Sequence, residues 1–241
     1  MDRRELSIDG LILGSVGILR AQPVVAIIGF IAAAVVELVS IHWLEVQERG
    51  AVGTPDDLYM TYAKVGWWAF LLIYAIWYIG LGVTVTGALL RTRNAQSNTG
   101  STLAGRRWFA AAGASAIATI GTGIGLVFFV IPGLLLMARW YIAVPIALDR
   151  STGATEALSR SWAATEVIAW PLVLATLAVN AVPMLVAVMD ISWGDSEGAF
   201  WAGSIMESGL TSVAFMIGLA MAVHVYRHVL RENDDLNAVF Q

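Results

Sequence analysis

Residues 65–90 and 108–138 contain no aspartate, glutamate, lysine or arginine. A run of about 18 or more such residues is long enough for a helix to cross the ~30 Å hydrocarbon core of a bilayer. In that core no water satisfies backbone N–H and C=O groups, so a spanning segment must be a helix or a strand of a closed barrel. Barrel strands alternate apolar and polar residues over about ten positions, and these runs show no such alternation. The expected fold class is therefore all-α, a polytopic transmembrane helical bundle.

Composition points the same way. The 241 residues are 58% hydrophobic and 13% charged, with a mean hydropathy of +0.73, whereas soluble domains run at about 45–50% apolar and about 25% charged. A single water-bounded core cannot bury that much apolar surface. The formal net charge of −4 is mild, and no nucleic-acid partner is expected. The absence of cysteine removes disulfides, thiolate metal sites and palmitoylation, and leaves the redox compartment open. The N-terminus mixes Arg3 and Arg4 with Asp2, Glu5 and Asp9, and Arg20 breaks the next apolar run. That pattern is not a signal peptide, so the segment is expected to be retained.

Six crossings are expected, at 24–44, 65–90, 108–131, 133–148, 167–189 and 208–226. Residues 7–22 carry Ile8, Leu11, Ile12, Val16 and Leu19 at helical spacing, but the segment is too short to span and Pro23 follows it. It reads as an interfacial helix. Residues 152–166 read as an amphipathic surface helix, capped by Ser151 or Thr152, with Trp162 dipping into lipid or the bundle. Residues 232–241 form a polar tail. Residues 108–148 could cross twice, with Pro132 and Gly133 as the hairpin turn, or dip in and return. Both leave the flanking loops on one side, and length favours two crossings.

The loop charges alternate. Residues 91–107 hold Arg91, Arg93, Arg106 and Arg107 and no acid; 190–207 hold Asp190, Asp195, Glu197 and Glu207 and no base. The 45–64 loop is also acid-rich, and Arg227 and Arg231 follow the last crossing. The positive-inside rule then places both termini in the cytoplasm of a bacterial inner membrane. Trp43, Trp67, Trp68, Trp193 and Trp201 fall at the outer ends, and Trp108, Trp162 and Trp170 at the inner ends, as interfacial rings should.

One stretch carries a pattern: Ile131-Pro132-Gly133, then Arg139, Val144-Pro145, Asp149, and a Glu156-Ala157-Leu158-x-x-Ser161-Trp162 helix. It resembles the YciC-like bacterial inner-membrane proteins, related to the membrane domain attached to some glycerophosphodiester phosphodiesterases. Val144 stands where alanine is usual in that pattern, and Asp149 where glutamate is. The resemblance implies a six-crossing membrane scaffold and says almost nothing about activity. The catalytic barrel of the hydrolases has no counterpart here, since there is no His-Arg-Gly motif and no polar stretch long enough to hold it.

The candidate side chains are few. Arg139 lies about 10 Å from the Pro132 turn at 1.5 Å per residue, and Glu37 lies at a matching depth in the first crossing. An unpaired arginine in lipid costs about 2.5–3.5 kcal/mol on insertion scales, so a Glu37–Arg139 pair is expected, assisted by Asn180 or Thr122. The competing reading has Arg139 snorkelling and Glu37 protonated or facing a wet crevice. His224 and His228, four apart, are weak metal candidates needing a third ligand such as Asp149 or Glu156. Interfacial histidines are the simpler reading, and His42 beside Trp43 is taken the same way. Gly121 and Gly125 form a GxxxG pair for helix packing, with Gly80 and Gly87 as a matching groove. Arg91, Arg93, Arg106 and Arg107 are candidate contacts for anionic lipid.

No nucleophile, base and metal converge, so no enzyme and no cofactor are expected. The expected role is a scaffold, a lipid-interacting protein or a subunit of a membrane complex, with membrane lipids, other subunits or a second copy as partners. The alternative is a small-molecule or lipid transporter using a Glu37/Arg139 site, with Pro145, Pro171 and Pro183 breaking its helices.

Overall fold

The computed structural model describes residues 7–51, 56–91, 101–150, 152–188 and 197–231. The elements are α1 (Ile8–Ala21), α2 (Pro23–Ala51), α3 (Asp56–Arg91), α4 (Ser101–Phe128), α5 (Val130–Arg139), α6 (Ala143–Arg150), α7 (Ala154–Ala164), α8 (Ala169–Val188) and α9 (Glu197–Tyr226), which ends in a π-helical turn, Arg227–Arg231. There is no strand among the described residues. Six segments are long and apolar enough to cross a membrane: Pro23–Trp43, Gly66–Arg91, Gly105–Phe128, Val130–Arg150, Ala169–Val186 and Phe200–Leu230. The protein is an all-α, multi-pass membrane bundle.

Proline sets most of the boundaries. It lacks the N–H that would bond the carbonyl four residues back, and its ring crowds that carbonyl. Pro132 is four residues after Phe128, where α4 ends. Pro145 is four after Tyr141, in the gap between α5 and α6. Pro171 is four after Val167, in the gap between α7 and α8. Pro23 sits at the first position of α2, where its missing donor has no helical partner anyway. Pro183 leaves α8 continuous. The tight turns are closed by short backbone bonds: Ala143 N–H to Trp140 C=O at 3.1 Å and Ile168 N–H to Thr165 C=O at 3.2 Å.

Helices α2 and α9 pack antiparallel, with His42 stacked on Trp201 at 5.5 Å and Gly29 against Met216. Helices α4, α5 and α6 form a hairpin, and α7 folds back along α4 so that Ala154 meets Gly113 and Trp162 meets Trp140. The main core gathers where α1, α6, the start of α8 and the end of α9 meet, around Leu11, Ile142, Ile146, Leu172, Met221 and Tyr226. On α2 the outward stripe Val24, Ile27, Ile28, Ile31, Val35 and Val39 is exposed. Its spacing of three and four residues is that of one helix face, and a patch that continuous on a soluble protein would be anomalous. Here lipid covers it.

Helix α1 buries Leu11, Ser15 and Ile18 against the bundle, while Leu13 on the other face is exposed. Helix α7 buries one face, Ala157, Leu158 and Ser161, against α4 and α6. One expected boundary needs correction. The last crossing begins earlier than 208. Helix α9 starts at Glu197, so Glu207 lies inside its apolar segment rather than in an acidic loop.

Candidate functional site

The Arg139 junction lies where two broken helices meet. Helix α5 stops at Arg139 because Pro145 prevents the helix from running on, and this strands C-terminal carbonyls that need donors. Ser161 Oγ donates to the Arg139 carbonyl at 2.8 Å. Thr165 Oγ1 lies 3.1 Å from the same oxygen and 2.8 Å from Ser161 C=O, within donating distance of either. In return Arg139 Nη1 donates to the Trp162 carbonyl at 3.2 Å, near the end of α7, and its guanidinium lies 5.1 Å from the centre of the Trp162 ring. Each helix end thus satisfies the other. A cation at a helix C-terminus and over an indole face is favoured twice.

The expected Glu37–Arg139 pair does not form. Glu37 accepts instead from Tyr74 Oη on α3 at 2.9 Å. The sequence reading matched the depths of the two charges, but it could not see that the helix break places backbone carbonyls and an indole beside Arg139. Asn180, proposed as a helper, donates to Thr176 C=O of its own helix at 2.8 Å.

Glu37 has a companion that sequence reasoning missed. The His42–Trp201 and Gly29–Met216 contacts bracket it, and in that antiparallel register Glu207 on α9 is level with Glu37. Tyr74, Tyr78 and Phe215 line up beside this level, with centroids 5.6 and 4.5 Å apart. The signal in the sequence was the Phe70, Tyr74, Tyr78 spacing of four, which puts three aromatic rings on one face.

The small-residue contacts form inside the hairpin. A Cβ on Gly125 would lie 2.8 Å from Gly133 Cα, and one on Gly133 would lie 2.5 Å from Leu126 N. A Cβ on Gly121 would strike the Trp140 ring at 2.5 Å. Gly121 and Gly125 therefore serve close packing, but their partner is α5 and the turn beyond it. Gly80 and Gly87 face Trp108 and Leu148 instead, each 3.8 Å from a would-be Cβ. Pro132 and Gly133 fall in the first turn of α5, and the break itself is at Phe129.

His224 and His228 approach edge to face, centroids 4.5 Å apart, and the His224 ring fills the space above Gly14. No third His, Asp or Glu joins them among the described residues. His224 thereby seats α1 on α9.

The end of the bundle that carries the arginines divides them into two groups. Leu89 C=O near the end of α3 accepts from Gln22 Nε2 at 3.0 Å and Arg227 Nη2 at 2.9 Å. Arg150 Nη2 donates to Leu230 C=O at 3.2 Å, and Tyr226 Oη donates to Asp149 at 2.5 Å. These groups tie helix ends together. Arg20, Arg91 and Arg106 at the same end are exposed. Arg107 turns inward, its Nε buried, so it is less available to lipid than expected. Arg93 lies outside the described residues.

No family model, no curated protein and no solved structure matches this chain.

Proposed function

We propose that this protein is a non-enzymatic, lipid-interacting scaffold of a bacterial inner membrane, with its arginine-bearing end and both termini in the cytoplasm. The observation that carries this reading is the division of the arginines. Arg139, Arg150 and Arg227 donate to backbone carbonyls within the bundle, whereas Arg20, Arg91 and Arg106 reach outward from one end. Exposed arginines at that level attract anionic head groups at about 1 kcal/mol each, an interaction weakened by salt. The resemblance of residues 131–162 to YciC-like proteins fits a scaffold. In this chain the residues of that pattern hold helices together: Ser161 and Trp162 on Arg139, Gly133 on Gly125, Asp149 on Tyr226.

The transporter alternative loses the site it was drawn on, since Glu37 and Arg139 have different partners. The test is lipid retention in detergent, read by native mass spectrometry. Replacing Arg91 and Arg106 together by glutamine should lower the preference for phosphatidylglycerol over phosphatidylcholine by about 30-fold, two arginines at about 1 kcal/mol each. An unchanged preference would refute the reading, and so would ion or solute flux in proteoliposomes.

A further inference from the structure

A groove of about 650 Å³ runs between α2 and α3, lined by Val36, Trp43, Gly66, Phe70, Ile73 and Trp77 among others. That volume lies within the ~300–1,000 Å³ of ordinary ligand sites. Four features of the groove define its occupant. First, no charged side chain lines it among the described residues, and its two hydroxyls have turned their protons away. Tyr74 donates to the Glu37 carboxylate and Ser40 donates to the Glu37 backbone carbonyl. The wall therefore offers mainly hydrocarbon and ring faces, its remaining side-chain donors being the indole N–H groups of Trp43 and Trp77.

Second, the groove extends from Ala32 to Trp43 on α2 and from Gly66 to Trp77 on the antiparallel α3. At 1.5 Å per residue either wall is about 16 Å long, close to half of a ~30 Å hydrocarbon core, which is the depth of one leaflet. Third, its rims are lipid-facing residues: Val35, Val39, Ile73 and Trp77 are all exposed. Fourth, one end closes on rings suited to the head-group level. Trp43 stacks on Phe70 at 5.8 Å, and Trp67 and Trp68 are exposed beside it.

We propose that this groove is a binding site for one acyl chain of a membrane lipid, taken from the leaflet on the side away from the arginine-bearing end. The chain enters at Trp43 and Gly66 and ends near Ala32 and Trp77. This rests on the lipid-interacting reading above and adds to it a site that recognises the hydrocarbon tail independently of the head group.

The test uses the full chain in phosphatidylcholine vesicles doped with a phosphatidylcholine whose acyl chain bears a diazirine near its middle. After irradiation, adducts are mapped by peptide mass spectrometry. Adducts at Val36 and Ile73 should exceed those at Ile120 and Ile124, exposed residues of α4, by about tenfold, which corresponds to a modest binding preference. Gly66→Leu should bring the groove adducts down to the α4 level. A Cβ at Gly66 meets nothing within 4 Å, so the new side chain projects into the groove without striking the backbone. Ala32→Leu on the opposite wall is the second variant, and α4 adducts report a folded chain in both. Adducts spread evenly over all lipid-facing helices would overturn the proposal, as would groove adducts that survive both variants. Cross-links joining two copies through the groove would overturn it in favour of a protein occupant. The zwitterionic probe makes no demand on the arginines. Loss of arginine-dependent retention with groove labelling intact would therefore remove the head-group reading and leave this one standing.

Discussion

At the scale of single residues, a charge in an apolar segment need not find an opposite charge. Arg139 is held by one backbone carbonyl and one indole face. Hydrogen bonds from charged groups contribute about 1.5–3 kcal/mol, and a cation over a ring about 0.5–2. Arg139→Gln should therefore lower stability by about 2–5 kcal/mol, measured by unfolding in detergent. Arg139→Lys should recover only part of it, because an ammonium lacks the planar fork and stacks less well. Because Glu37 has Tyr74 as its partner, Glu37→Gln and Arg139→Gln should be additive within about 0.5 kcal/mol in a double-mutant cycle. A larger coupling would show the pair that the structure separates. A second residue-level effect depends on pH. Asp9 is in the first turn of α1, where Ser7 and the backbone amides of Asp9 and Gly10 hold its carboxyl below the usual aspartate value. A lowered folded value means the stabilisation is present above the unfolded value and is lost as pH falls through the folded one. Amide exchange at Leu11 and Ser15 should speed up as pH drops below the ordinary aspartate range, relative to α9. Asp9→Asn should abolish that dependence.

At the scale of elements, the prolines that interrupt helices stand in the sequence, although the expected crossings 133–148 and 167–189 run through two of them. The residues four before Pro132, Pro145 and Pro171 are the end of α4, Phe128, or lie in a gap, Tyr141 and Val167, and all three prolines are visible in the sequence. The consequence of a gap was not visible. A stranded carbonyl needs a donor from somewhere else in the chain, and Ser161 and Thr165 are more than twenty residues from Arg139. That is a tertiary fact, and charge counting pointed to Glu37 instead. In the same way, Glu207 was read as loop because acids cluster before it, although helix α9 continues through it to Glu197. The glycine pair was legible as a packing device, but its partner was not, because the nearest helix in space is α5, which follows directly in sequence. Gly125→Ala and Gly133→Ala place a methyl 2.8 and 2.5 Å from backbone atoms, so each should cost about 1–3 kcal/mol by overpacking. Gly123→Ala, with nothing within 4 Å, should be nearly neutral. A Gly125→Ala variant as stable as the wild type would mean that α4 and α5 do not approach this closely.

At the scale of the whole molecule, six apolar segments and a gathering of arginines at one end fix what must face water on each side. The carbonyl-capping cluster of Gln22, Arg150 and Arg227 lies at that end, beside core residues Tyr226 and Val229. Here α1 is drawn into the bundle and the ends of α3, α6 and α9 are tied together. The opposite half is held by α2 against α9 and by the aromatic row on α3, with the acyl groove at its flank. The absence of cysteine makes this polarity directly testable. Cysteine at Gly153, in the turn between α6 and α7, belongs to the arginine-bearing end; cysteine at Phe129 and at Gly198 belongs to the other. Gly153 and Gly198 have nothing within 4 Å of a new Cβ, and all three positions are exposed. A membrane-impermeant maleimide applied to intact cells should label Phe129→Cys and Gly198→Cys but not Gly153→Cys until the membrane is opened. Labelling at Gly153→Cys with protection of the other two would invert the bundle, and with it the leaflet assigned to the groove. Protection of Phe129→Cys alone would mean that the α4–α5 turn stops inside the membrane. The hairpin would then be re-entrant, and Arg139, ten residues beyond the turn, would lie nearer the arginine-bearing surface than a double crossing places it. Because Phe129 follows a helix of 28 residues and precedes a broken span of 21, at 1.5 Å per residue both arms exceed the ~30 Å needed to reach the far side. Labelling at Phe129→Cys is therefore the outcome expected.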